Sequence, residues 1–195
     1  MSREEFRGGV VYRELIDPSL ALRYGRMVTA FRRYSRSSFF KPPINDSLGS
    51  NSRVLKAWLS YPEGSKDFPS ICNDYGSPIA TGDNPGWGSL AADRLSKLAD
   101  DVDAITGAVS DIRFVQSFPP STLLIKHDDK RKSSRVVGLA GVGEFNLYDT
   151  QNPEQLVESI HIGPGDVLHF SGVGLHSAVN GSASTYRETL NLIDI

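Results

Sequence analysis

The sequence predicts a mainly β, α+β protein in which a double-sheet jelly roll or barrel is flanked by two N-terminal helices. Three observations carry this expectation. The apolar spacing is helical in two stretches before residue 107, it becomes alternating from there on, and turn residues then recur at short intervals. No helical pattern separates the later strands, which argues against a parallel sheet with crossover helices.

The first element begins at Asp17-Pro18, an N-cap residue followed by proline at the first helical position. Leu20, Leu22, Tyr24, Met27, Val28, Phe31 and Tyr34 then give an approximately helical apolar stripe, with Arg23, Arg26, Arg32, Arg33 and Arg36 among them. Lys41 to Ser52 reads as a loop, and Val54 to Tyr61 as a short strand. Residues 62–88 are dense in Pro, Gly, Asp and Asn, and a connection of that length is expected to act as a lid or substrate loop. Ser89 is the expected cap of a second helix, whose stripe is Leu90, Leu95, Leu98, Val102 and Ile105 and whose stop is Gly107.

Eight strands follow: Ile112–Phe118, Thr122–Lys126, Arg135–Ala140, Glu144–Tyr148, Val157–Ile162, Asp166–Phe170, Leu175–Val179 and Glu188–Ile193. Pro119-Pro120, Gly163-Pro164-Gly165 and Asn180-Gly181 are among the turns between them. The organisation expected is a single domain over 1–195, with 1–110 as helical, loop-rich support and 111–195 as the β core.

Composition narrows the function classes. With 39% hydrophobic and 23% charged residues the chain is an ordinary globular protein. No apolar run approaches the roughly 20 residues of a membrane span, and Met1 to Arg7 is no signal peptide. A monomer in the cytoplasm, without a membrane partner, is therefore expected. Cys72 is the sole cysteine, which excludes an intrachain disulfide and thiolate zinc sites and reads as a small buried hydrophobe. The net charge of −2 conceals a division: residues 1–60 carry 11 Lys+Arg against 5 Asp+Glu, and residues 61–195 carry 10 against 18. Such a basic third either faces an anionic partner such as nucleic acid or is a solvated arginine face.

The candidate chemistry lies in the β region. Lys126-His127-Asp128-Asp129 follows a strand, and an extended H-x-D sends His127 and Asp129 to one side. His176 lies 49 residues further on the seventh strand. Two neutral imidazoles and one carboxylate make a facial metal triad with open positions, suited to iron(II). Arg187 comes 11 residues after His176 and starts the last strand, where a guanidinium can grip a carboxylate in a forked pair. Thr189, two residues on, shares its side. Each residue alone has an ordinary explanation: a charged loop for His127 and Asp129, a core histidine for His176, a surface pair with Glu188 or Glu144 for Arg187. Their joint spacing favours the metal site. His161 and His169 alternate with apolar neighbours and belong on polar strand faces, and Phe145, Asn146 and Tyr148 are candidates for lining a pocket.

The order H-x-D, Gly165-Asp166-Val167-Leu168-His169-Phe170, His176 and Arg187-Glu188-Thr189 resembles the iron(II)/2-oxoglutarate-dependent dioxygenase superfamily over about residues 107–195. The resemblance implies a double-stranded β-helix, iron(II) held by His127, Asp129 and His176, and 2-oxoglutarate bound through its 5-carboxylate by Arg187 and Thr189. It also implies consumption of dioxygen, release of succinate and carbon dioxide, and hydroxylation or oxidative demethylation of an organic substrate. Asp129 points to hydroxylation over halogenation.

For the substrate, two readings stand. A nucleic-acid base or nucleotide is favoured by Phe31-Arg32-Arg33-Tyr34-Ser35-Arg36 and by Lys130-Arg131-Lys132 with Arg135, all suited to phosphates. The layout is similar to AlkB-type demethylases, but the asparagine-containing strand motif is not seen and Ile193 stands where those enzymes carry a second arginine. The short His176-to-Arg187 interval is closer to prolyl hydroxylases and phytanoyl-type enzymes, which favours a small-molecule or amino-acid hydroxylase. A non-enzymatic jelly-roll binding module, or a cupin-type metal enzyme with no use for Arg187, are the more distant alternatives.

Overall fold

In a computed structural model, residues 2–34, 54–60, 87–128, 133–170 and 174–194 are described. Asp129, Lys130-Arg131-Lys132, Cys72, the 41–52 loop and most of the 62–88 segment lie outside these residues.

The described chain runs β1 (Ser2–Phe6), β2 (Gly9–Arg13), α1 (Pro18–Tyr34), β3 (Leu55–Ser60), α2 (Trp87–Thr106), β4 (Ile112–Phe118), β5 (Thr122–His127), β6 (Ser133–Ala140), β7 (Gly143–Tyr148), β8 (Leu156–Ile162), β9 (Val167–Phe170), β10 (His176–Asn180) and β11 (Arg187–Asp194). The eight expected strands are present, with ends displaced by at most two residues. Seven strands form one sheet in the order β1-β2-β9-β6-β11-β4-β3, and four form a second in the order β5-β10-β7-β8. The sheets pack face to face through Val11, Leu168 and Phe170 of the larger and Phe145, Ile160 and Ile162 of the smaller.

The first hairpin was not expected from the sequence. Arg7 and Gly8 make a two-residue turn between paired Phe6 and Gly9, with Gly8 at φ 97°. The hairpin joins the larger sheet by pairing β2 to β9. Gly9 lies against the backbone there: an added Cβ would fall 2.3 Å from the carbonyl oxygen of His169.

Helix α1 starts where proline and its cap place it, with the Asp17 carboxylate accepting from the Leu20 amide at 3.0 Å. Its buried face differs from the expected stripe. Ala21, Gly25, Val28 and Phe31 are buried, whereas Leu20 and Leu22 are exposed. The cause is a close approach to β6: a Cβ on Gly25 would meet the Ala140 Cβ at 2.6 Å and the Leu139 carbonyl at 2.9 Å. Helix α2 begins at Trp87, so Ser89 lies inside it and is not its cap. Ala91, Ala92, Leu95, Leu98, Ala99 and Val102 carry its packing, while Leu90 and Ile105 are exposed. Gly107, at φ 70°, follows its last turn.

Both helices pack against the larger sheet in a core with Val115, Val137, Leu139, Leu190 and Leu192. Charge pairs reinforce this face. Arg135, with no exposed surface, bridges Asp194 and Asp103, and Arg113 joins Asp103 at 3.1 Å and Asp100 at 2.7 Å. Glu188 accepts from the Thr29 hydroxyl at 3.1 Å and pairs with Arg32 at 3.4 Å, tying β11 to α1.

Burial pushes the Glu188 carboxyl up from 4.5 to about 7, against the pull of Arg32 and Thr29. The folded protein thus keeps a proton that the unfolded chain releases near the ordinary carboxylate pKa. This contribution to stability is complete below about pH 4.5 and is lost as pH rises through about 7. The melting temperature of Glu188→Gln relative to wild type is therefore expected to climb between pH 4.5 and 7.5, read by thermal denaturation across buffers. A difference that stays flat over that range would contradict a buried, high-pKa Glu188.

Candidate active site

Side chains alternate across β11, and the alternation builds the site. Leu190 and Leu192 turn to the helices, whereas Arg187, Thr189, Asn191 and Ile193 line a cavity of about 280 Å³ between the sheets. Register extends these positions sideways. Arg187 lies opposite Phe118, Thr189 opposite Gln116, and Asn191 opposite Phe114, all of which line the same cavity. From the smaller sheet come His127, His176, Ala178, Leu124 and Phe145.

His127 reaches the cavity through a β-bulge. Pairing between β5 and β10 runs His176 to His127 and then Ala178 to Leu124, so three steps on β5 oppose two on β10. Leu124 faces inward, and strict alternation from it would send His127 outward. The extra residue corrects the phase. Lys126, just before it, lies on the outer side, its ammonium 4.4 Å from the Tyr148 ring and donating to the Pro153 carbonyl.

The His127 and His176 rings stand 4.3 Å apart between centroids, tilted at 54°. Two imidazoles holding one ion at about 2.1 Å each, roughly at right angles, need a centroid separation of this order. The Nδ1 of His176 lies 2.9 Å from the Gly174 carbonyl. As a donor there, Nδ1 carries the proton and Nε2 carries the lone pair a metal requires. Phe145 stacks at 5.1 Å on one side of His176, and Phe170 meets it edge-on at 5.3 Å. The carboxylate partner expected in Asp129 lies outside the described residues, and among those described no three His, Cys, Asp or Glu side chains are grouped to hold a metal.

Arg187 is 2% exposed, and loss of solvent lowers its pKa to about 10. Its Nη1 donates to the Val179 carbonyl at 3.3 Å, its Cζ lies 5.1 Å from the Phe118 ring, and Nε has no partner. The surface pairings considered from the sequence do not occur. Glu188 turns to α1, and Glu144 approaches His161 at 3.6 Å on the surface. Thr189 accepts from the Asn191 side-chain amide at 3.0 Å, which leaves its own hydroxyl hydrogen to be donated elsewhere.

The other candidates divide. Phe145 lines the cavity; Tyr148 does not, its hydroxyl instead meeting Ser177 at 3.1 Å. Asn146 is buried, with its Oδ1 unpartnered. His161 is exposed, and His169 is half-buried beside Arg135, where burial and that cation lower its pKa. Two basic residues assigned to phosphates are used internally: Arg135 by Asp194 and Asp103, and Arg32 by Glu188 and the Tyr186 ring at 3.7 Å. Sequence reasoning passed over Gln116 and Asn191. Both are polar at the inward phase of otherwise apolar strands, a signal legible once the inward phase is known.

No protein-family model and no curated protein matches the sequence. Solved structures do match the fold. OsALKBH1 aligns over 100% of both chains with a TM-score of 0.60 at 15% identity. A prolyl hydroxylase from Trichoplax adhaerens, solved with a hypoxia-inducible-factor peptide fragment, aligns over 96% of this chain and 83% of its own, with a TM-score of 0.60 at 14% identity. A Pseudomonas putida prolyl-4-hydroxylase aligns over 96% and 92%, with a TM-score of 0.50 at 15% identity. The fold is thus the one shared by OsALKBH1 and these two prolyl hydroxylases. At these identities the likeness is one of fold, and the site rests on its own geometry. Among the described residues no helix is long and apolar enough to cross a membrane.

The placement of Arg187 depends on Gly143. A Cβ there would lie 2.4 Å from the arginine Cδ and 2.5 Å from both its Nε and the Val179 carbonyl oxygen. Gly143→Ala is expected to destabilise the protein by about 1–3 kcal/mol in urea unfolding. Gly181→Ala, with nothing within 4 Å, should change it far less. Equal effects would mean that Arg187 is not confined as described.

Proposed function

We propose that the chain is an iron(II)- and 2-oxoglutarate-dependent dioxygenase that hydroxylates, or oxidatively demethylates, an organic substrate, releasing succinate and carbon dioxide. One observation carries the reading: a buried arginine with no carboxylate partner among the described residues and a facing pair of histidines line the same cavity between the sheets. On this reading β4–β11 are the double-stranded β-helix core of a single domain, supported by the hairpin, α1 and α2.

His127, His176 and Asp129 would hold iron(II), whose open positions supply the chemistry of dioxygen activation at a chelating oxo-acid. The residues of the chain do the rest. The Gly174 carbonyl sets the tautomer of His176, so that its Nε2 presents a lone pair without prior proton loss. The Arg187 guanidinium, desolvated and short of partners, binds the 5-carboxylate of 2-oxoglutarate by charge-assisted hydrogen bonds. Thr189 donates its hydroxyl to the same carboxylate, its oxygen being held by Asn191. Phe118, Phe145 and Phe170 exclude water and strengthen these interactions in a low dielectric.

A jelly-roll binding module would need neither histidine pair nor buried arginine, and a cupin-type metal enzyme would have no use for the arginine. Arg32 and Arg135 are engaged internally and are not available to hold substrate phosphates.

Anaerobic addition of iron(II) and then 2-oxoglutarate to apo-protein is expected to produce the weak visible charge-transfer band of the chelate. His176→Ala should abolish it. Arg187→Ala should raise the 2-oxoglutarate needed by on the order of ten- to a hundredfold, the worth of a hydrogen bond to a charged group. A wild-type protein that gives no band at saturating iron(II) would sink the proposal.

A further inference from the structure

A second concavity lies away from the candidate active site, between the two helices. It measures about 610 Å³, and its charged lining residues are Arg23 and Arg26 of α1 and Arg94 of α2. All three are exposed. Tyr24, Met27 and Leu20 lie between them as an apolar floor, and Leu20 is 40% exposed.

Several other arginines among the described residues are held by carboxylates. Arg13 pairs with Glu4 and Asp166, Arg32 with Glu188, Arg113 with Asp100 and Asp103, and Arg135 with Asp103 and Asp194. Arg23, Arg26 and Arg94 have no ion pair or side-chain hydrogen bond among the described residues. Three like charges gathered on one groove repel one another, in a chain whose net charge is −2. An anion relieves that repulsion, and the guanidinium fork suits phosphate oxygens in particular.

The floor narrows the choice of occupant. A duplex keeps its base faces stacked inside, and a run of acidic residues offers carboxylates without flat faces to stack. Single-stranded nucleic acid carries phosphates at regular intervals together with exposed bases, which stack on an aromatic side chain such as Tyr24 and pack on Met27. We infer that the α1–α2 groove docks single-stranded nucleic acid through Arg23, Arg26 and Arg94. This inference is independent of the dioxygenase reading, because it concerns a different face of the molecule and needs no turnover.

The test is fluorescence anisotropy of the full chain with a labelled single-stranded oligonucleotide, across a range of salt concentrations. Wild type should bind with an affinity that falls steeply with salt. The triple variant Arg23→Gln, Arg26→Gln, Arg94→Gln should bind at least tenfold more weakly, with a log–log salt slope reduced by ~2, as removal of three phosphate contacts requires. The triple Arg→Lys variant should keep most of the salt dependence, and unchanged melting temperatures would show that both variants fold. Absence of salt-dependent binding, or equal binding by wild type and the Gln variant, would overturn the inference. So would polyglutamate, a duplex or anionic lipid vesicles binding as tightly as the single strand with the same dependence on the three arginines.

Discussion

Keeping a guanidinium out of water with no carboxylate beside it among the described residues is the constraint on which the centre of this molecule depends. A buried charge is expensive unless it is paired and hydrogen-bonded. The chain provides only partial relief for Arg187, in the Val179 carbonyl and the face of Phe118. Gly143 makes room for the side-chain stem, and the neighbouring Gly141 adopts φ 70° with the Arg187 backbone close by. Such an environment is stabilised by whatever anion enters it, so the favourable energy of binding is partly stored in the folded protein beforehand.

The opposite side of the same strand shows the contrast. Glu188, one residue on, meets Thr29 and Arg32, and further along Asp194 meets Arg135. Charges on the helix side find protein partners and hold α1 and α2 against the sheet. On the cavity side, the Arg187 cation has no carboxylate among the described residues. A strand buried on both faces has thus separated charges that meet protein partners from polar groups that face a cavity, by alternation alone.

Much of this was legible in the sequence, because strand length and turn residues are local signals. Ile112–Phe118 was placed to the residue, and α1 began at the expected cap. The misses have tertiary causes. Leu20 and Leu22 look like part of a core face, yet the close approach over Ala140 selects Ala21 and Gly25 instead. The first hairpin has five-residue arms, one of them the mostly exposed Ser2–Phe6, and no clean alternation marks it. At His127 the inward direction is set by a bulge that requires knowledge of the pairing with β10. Arg32 and Arg135 looked like phosphate contacts because their acidic partners are remote in sequence; Glu188 is 156 residues from Arg32.

The pairing of β2 with β9 has a kinetic consequence. Contacts such as Arg13 with Asp166 close a loop of 153 residues, and Thr29 with Glu188 one of 159. The entropy of closing such loops must be met before the contacts reward it, which places this topology among slow folders. During synthesis the hairpin and α1 emerge long before the strands they rest on. The apolar face of α1 must therefore wait uncovered until β6 has left the ribosome, and that interval is when the chain is most exposed to aggregation.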